Sequence, residues 1–269
     1  MSILKDANHP NIIQLNEIKK KEDKIYIVTE YCNGGTLAKF LEKYQADNKK
    51  ALPEEIVQYV MRQIVEGMKY LNEKNIMHRH INLENILINY EDENDKKNNN
   101  IMKAKIKIID FGFSTYLKKG ELAKSTLGSP INMSPLLLRK LNTSKNSRQI
   151  GYNEKEDIWS LGTICYELLV GKNAFDSDDM DELVNRIELG DYCVPISFSK
   201  ETISFLNCML QYDSEKRLSI DQLSKHKFLT KNVNEFTKIN LDELKDIRVG
   251  LLINTKNNGP IQEYFGDGK

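Results

Sequence analysis

Residues 158 to 170, Ile-Trp-Ser-Leu-Gly-Thr-Ile-Cys-Tyr-Glu-Leu-Leu-Val, form the most apolar run of the chain, interrupted by Glu167. A bilayer crossing needs roughly 20 such residues, so this stretch reads as a helix buried in a protein core. A helix apolar on most of its circumference needs other elements packed around it. The sequence supplies them. From Pro53 to Asn75 the apolar residues Ile56, Val60, Ile64, Met68 and Leu71 recur at helical spacing behind Pro53, Glu54 and Glu55, which predicts a long amphipathic helix. Beyond residue 150 the pattern predicts helices over 157–170, with Asp157 as the cap, and over 179–188, 200–210 and 219–225.

Strand signals are few. Residues 12–18 and 24–31 are short β-branched or aromatic runs separated by charged residues 19–23, the pattern of a hairpin. Two further short runs, 86–88 and 106–109, flank an Asn-, Asp-, Glu- and Lys-rich insert over 90–100 that reads as a solvated loop. No repeat and no Pro-, Ser- or Gly-rich linker divides the chain. One helix-rich lobe with a strand-poor beginning is therefore expected, fading after Leu229 into a polar tail in which 242–247 is a candidate short helix.

Lys plus Arg number 39 and Asp plus Glu number 39 in 269 residues, so no global field favours nucleic acid or an anionic membrane. The cysteines, Cys32, Cys165, Cys193 and Cys208, contain no C-x-x-C pair, which argues against a zinc site or a secreted disulfide framework. Residues 1–10 are polar and lack the apolar stretch of a signal peptide. A cytoplasmic protein without a membrane span is expected.

Five segments then appear in order: His78-Arg79-His80-Ile81-Asn82-Leu83-Glu84-Asn85, Asp110-Phe111-Gly112, Gly128-Ser129-Pro130, Ser134-Pro135-Leu136, and Asp157-Ile158-Trp159-Ser160-Leu161-Gly162. Upstream stand His9-Pro10-Asn11-Ile12-Ile13 and Val28-Thr29-Glu30-Tyr31-Cys32; downstream stand Arg217 and His226-Lys227-Phe228. The series resembles the protein-kinase superfamily over about residues 5–229. The Tyr31-Cys32-Asn33-Gly34-Gly35 and Gly128-Ser129-Pro130 segments resemble the Ser/Thr type, in particular the branch of the autophagy-initiating kinases.

The resemblance implies an α+β, protein-kinase-like fold, mostly the helical C-terminal lobe. It divides the chain into 1–33, a remnant of the N-terminal β lobe with the hinge, 34–229, the C-lobe, and 230–269, a tail. It implies an adenine site with Leu87 as floor, Thr29 at the rear and the Glu30, Tyr31 and Cys32 backbone as hinge. It also makes Asn85 and Asp110 the magnesium ligands, oxygen donors suited to a hard cation. Arg79 would pair with a phosphorylated residue among Ser125, Thr126 and Ser129, unless all three are ordinary solvated hydroxyls, and the alternative to the metal role of Asp110 is a structural turn that simply anchors Phe111 beside His78.

The departures are equally specific. The family's glycine-rich loop, strand Lys and helix Glu precede the His-Pro-Asn segment, and only eight residues stand before His9; the hairpin is then expected to leave an apolar face uncovered. The family's catalytic Asp is matched by His80 and its phosphate-neutralising Lys by Asn82. The imidazole is a possible proton acceptor but brings no negative charge, and the amide donates a hydrogen bond without a positive one. The family's Glu after Pro135 is matched by Leu136, so Arg217, its buried partner in the family, is expected to find another acid or to be exposed. These readings lead to a pseudokinase with weak or absent ATP and magnesium binding, acting on a protein partner such as an active kinase or scaffold. The alternative is an active Ser/Thr kinase from an incomplete gene model.

Overall fold

The structure, a computed structural model, describes residues 2–117, 121–123, 130–142, 151–175, 177, 179–195 and 197–238. It opens on α1 (Ser2–Asp6), which buries Ile3. The chain then passes under the lobe: His9 stacks on Tyr70 at 5.1 Å, and the Asn11 amide donates to Gln63 Oε1 and to the Ile106 carbonyl. The hairpin follows as β1 (Leu15–Lys21) and antiparallel β2 (Lys24–Thr29). Ile25, Tyr26, Ile27 and Val28 are 52, 48, 48 and 41% exposed. Both faces of this ribbon therefore carry apolar surface to solvent, as expected of strands with nothing packed on them.

Two helices frame the next stretch. Thr36 caps α2 (Leu37–Asn48) by accepting the Lys39 amide, and Pro53 precedes α3 (Glu54–Glu73) with Glu54 and Glu55 in its first turn. The predicted stripe holds: Val60, Ile64, Met68 and Leu71 are buried, while Ile56 is only partly covered. Gly67 lets α3 approach the sheet, since a Cβ there would lie 2.9 Å from Ile108 Cδ1 and 3.2 Å from the Asn11 carbonyl.

β3 (Ile76–Met77) pairs with β6 (Thr115–Tyr116), and β4 (Ile86–Asn89) pairs with β5 (Lys105–Ile108). Ile12 makes a parallel bridge to Ile108 that adds an edge to the second pair. The 90–100 insert corrects the solvated-loop expectation: Asp92 caps a short helix, α4 (Glu93–Lys97), and Tyr90 is buried. Charge-rich composition concealed that cap and one inward-facing ring.

α5 (Pro135–Asn142) leads to α6 (Lys155–Val170), the central helix. Trp159, Leu161, Ile164, Cys165 and Leu168 have no exposed surface, each such side chain contributing roughly 1.5–3 kcal/mol by burial. α8 (Lys200–Met209) and α3 pack on it, α7 (Met180–Leu189) lies against α5, and α9 (Ile220–Ser224) and α10 (Lys227–Thr230) lie against α3. Asp157 is not the cap of α6. Glu154 holds the capping position, and Asp157, in the first turn, points into the lobe.

Arg217 finds its other acid. Its Nη1 lies 3.2 Å from Glu156 Oε1 and donates to the Lys155 carbonyl, its Nε and Nη2 donate to the Gln211 and Tyr212 carbonyls, and its guanidinium covers Trp159 at 5.1 Å. The second oxygen of Glu156 accepts the Ser134 hydroxyl. The buried cation is thus satisfied from the helix rather than from position 136.

Candidate active site

The site hangs from two buried anchors. Asp157 accepts the His78 and Arg79 amides, each at 2.8 Å, and so fixes the loop after β3. Burial nevertheless pushes its pKa up to about 6. His78 lies wholly inside, accepts the His80 amide on Nδ1 and donates from Nε2 to the Ile109 carbonyl at 2.9 Å. Burial lowers its pKa to about 4, so the ring is neutral. Phe111 meets it edge-on at 5.1 Å, as the Asp-Phe-Gly segment led us to expect.

Arg79 and Asp110 both adopt the left-handed region, with φ of 67° and 63°. Non-glycine residues hold that conformation only where surroundings enforce it, and here the enforcement turns both loops toward one another. His80 projects between them, with Phe113 edge-on at 4.8 Å. Its Nδ1 is 3.0 Å from Asp110 Oδ2 and 3.1 Å from Asn85 Nδ2. Asn85 Nδ2 also donates to the His80 carbonyl at 2.9 Å and lies 3.4 Å from Asp110 Oδ2. Burial raises the Asp110 pKa, but hydrogen bonds from His80 and the Gly112 amide outweigh it and hold the carboxyl below its ordinary value.

Asn82 takes part in the loop through its side-chain oxygen. Its Oδ1 accepts the Asn85 amide at 3.0 Å and caps the 3₁₀ turn Leu83–Asn85. That turn carries Asn85 into the site.

The hinge residues run between the hairpin and the lobe. Thr29 ends β2, and its hydroxyl donates to the Glu30 carbonyl. Glu30 receives Lys107 Nζ at 2.7 Å and the Gln14 amide at 2.8 Å on one carboxylate oxygen, a tie between hairpin and β5 that sequence reading missed. Tyr31 is 85% exposed, Cys32 is buried, and neither makes a backbone hydrogen bond among the described residues. Burial pushes the Cys32 thiol up to about 11, which leaves it unreactive. Leu87 pairs with Lys107 across the sheet and bridges to Thr36, while Gly34 donates to the Ile88 carbonyl. A Cβ at Gly34 would lie 2.8 Å from that oxygen, so only glycine lets the hinge lie so close.

The structure therefore gathers His80, Asn85 and Asp110 at one point, with Asn82 behind them. Thr29, Glu30, Tyr31, Cys32 and Leu87 form a separate stretch. Ser125, Thr126 and Ser129, and the 242–247 helix, lie outside the described residues. Arg79 donates from Nε to the Phe113 carbonyl. No helix among the described residues is long and apolar enough to cross a membrane, and no group of three His, Cys, Asp or Glu among them is placed to hold a metal.

The sequence profile described as the protein kinase domain matches residues 1–229. Serine/threonine-protein kinase atg1 of Dictyostelium discoideum is 32% identical over 239 residues, 88% of this chain and 32% of that protein. Serine/threonine-protein kinase ULK3 of Xenopus laevis is 32% identical over 233 residues, covering 85% of the chain and 44% of the relative. Serine/threonine-protein kinase ULK1 of Homo sapiens is also 32% identical over 233 residues, covering 85% of the chain and 20% of the relative. The chain thus spans between 20% and 44% of the length of these relatives.

Proposed function

The chain belongs to the protein kinase domain family, and we propose that within it this lobe works as a pseudokinase, through contact with another protein rather than through phosphate transfer. The partner is an active kinase or a scaffold in the cytoplasm, with residues 34–229 as the interacting lobe, 1–33 as the hairpin segment with the hinge, and 230–269 as a tail. One observation carries the reading: the residue at the base position is an imidazole turned onto the Asp110 carboxylate at 3.0 Å.

Phosphoryl transfer depends on positioned charge. A hydroxyl substrate needs an acceptor free to orient it, and His80 meets Asp110 instead of standing free. Proton transfer by such a group is worth roughly 10²- to 10⁴-fold in rate. Asn82, in place of a cation, spends its side-chain oxygen on a loop cap. Both substitutions lie well inside the chain and do not depend on where it starts.

Asp110 and Asn85 suit a divalent cation, one offering a carboxylate and the other an amide. The unengaged Tyr31 and Cys32 backbone groups suit the edge of an adenine ring. Residual binding of ATP and magnesium is therefore part of the proposal: a bound cation would neutralise phosphate charge, and the hinge would orient the base. The same features favour a second reading, an active Ser/Thr kinase.

The two separate in one assay. Purified protein with labelled ATP, magnesium and a generic Ser/Thr substrate is expected to give no transfer above that of Asp110→Ala, and the double change His80→Asp, Asn82→Lys is expected to raise transfer. Robust transfer by the unaltered chain that vanishes in Asp110→Ala would sink the pseudokinase reading and leave the active kinase.

A further inference from the structure

We infer that residues 241–247 turn back onto the lobe and lie in a groove along the outer face of α8, so that the chain's own tail occupies that surface. The inference rests neither on the nucleotide site nor on whether phosphate is transferred.

The groove runs along one side of α8 and the turn that follows it. Ser204, Asn207, Cys208 and Gln211 stand at successive helical turns, with Ile203, nearly buried, at its base. Lys200, at the start of α8, and Lys216, in the 3₁₀ turn Ser214–Lys216, complete the lining. The volume is about 360 Å³, at the small end of the roughly 300–1,000 Å³ of sites that hold a ligand. No acid among the described residues lines it. Glu201, next to Lys200, already receives Lys231 Nζ and the Thr237 amide. An occupant with one apolar face and a surplus of carboxylates is the one that fits.

The path of the chain selects that occupant. The Lys200 amide donates to the Thr237 carbonyl, Ser199 bridges antiparallel to Lys238, and Lys238 is the last residue described. The tail thus departs beside the first residue of the groove. Because the bridge is antiparallel, the chain must reverse to follow α8, and Asn240 is a residue that turns and helix starts favour. Chain spans at most about 3.5 Å per residue, so residues 239–241 reach about 10 Å, roughly two turns along α8.

The sequence beyond that point carries the matching face. Asn240 followed three residues on by Glu243 is a helix-start signal, and Arg248 ahead of Gly250 is a stop. Between them Leu241, Leu244 and Ile247 recur every three residues, which sets them within about 120° of one another on a helix. Asp242, Glu243 and Asp246 against Lys245 make the same stretch acidic. The apolar stripe suits Ile203 and the aliphatic stems of the lysines, and the acids suit their ammonium groups. A tether this short gives an effective concentration in the mM range, so a segment that alone would bind at about 0.1 mM stays docked about nine-tenths of the time.

Cys208 reports occupancy, because its half-buried thiol lines the groove, and Cys193, exposed and outside it, is the reference. The full chain is labelled with a maleimide at fixed pH, and the rate at each cysteine is read by peptide mass spectrometry. Leu241→Asp with Leu244→Asp and Ile247→Asp is expected to speed labelling of Cys208 about tenfold and to leave Cys193 unchanged. Asp242→Lys with Glu243→Lys and Asp246→Lys is expected to speed it about threefold. Both sets of changes lie in the tail, so the groove keeps its own chemistry, and thermal unfolding checks that the lobe is intact. An unchanged Cys208 rate in either variant, or a rise shared by Cys193, overturns the inference. So does a Cys208 rate in the unaltered chain that falls as protein concentration rises, which would put the tail of a second copy in the groove.

Discussion

Glu156 holds two partners at once, the Arg217 guanidinium and the Ser134 hydroxyl, inside a shell that leaves the Arg217 side chain 0% exposed. Glu156→Ala would strand that cation, a change that typically costs about 3–5 kcal/mol; urea unfolding is expected to show a loss of this size. Adding Leu136→Glu, which restores an acid where the family resemblance puts one, should recover part of it. The sequence announced the need for a new acid but not its address, because nothing in the order Lys-Glu-Asp tells Glu156 from a surface residue.

At the same scale, His78 and Asp157 act on stability in opposite directions. His78 has a folded pKa of about 4 against 6.5 unfolded, so its contribution is present above pH 6.5 and is lost as pH falls toward 4. Asp157 has a folded pKa of about 6 against 3.8, so its contribution is present below pH 3.8 and is lost as pH rises through 6. Each amounts to about 3 kcal/mol, and between pH 4 and 6 they offset. Asp157→Asn removes one side of the balance: relative to the unaltered chain, it should lose about 3 kcal/mol more stability between pH 6.5 and 4 in chemical denaturation.

Among the elements, the ones read correctly are those whose pattern is local. α3 and α6 announce themselves by spacing and by continuous apolarity, and the hairpin by two short β-branched runs. α2 and α5 went unread, although Thr36 ahead of Leu37 and Leu41 offered a cap and the start of a stripe. α2 buries only those two residues, so its periodic signal is faint. Thr36→Ala is expected to lower stability by about 1 kcal/mol, measurable as a shift in the urea midpoint. Gly34→Ala drives a Cβ into the Ile88 carbonyl and should cost about 1–3 kcal/mol. In the site, Asn85, Asp110 and His80 were legible by resemblance, but the contact of His80 with Asp110 was not, because it depends on two left-handed residues that only tertiary packing enforces. The Glu30 to Lys107 tie was hidden for the same reason, being 77 residues apart in the chain.

Taken whole, the molecule combines a well-filled helical lobe with a ribbon whose apolar side chains face water. Exposed strand edges of this kind attract other strands. Ile25→Lys with Ile27→Lys is expected to reduce self-association in light scattering while changing stability by less than about 0.5 kcal/mol, since neither side chain is packed.

The ribbon is also fastened to the deepest part of the site. Residues 11–13 run beside Ile108, donating from the Ile13 amide to the Ile108 carbonyl and accepting the Ile108 amide on the Asn11 carbonyl, and then continue toward β1, while Ile108 stands two positions before Asp110. The backbone path from the ribbon to the carboxylate is therefore short. If bending those strands displaces Asp110, then by reciprocity an occupant of the loop alters the grip of a visitor on the ribbon by the same factor that the visitor alters the occupant's.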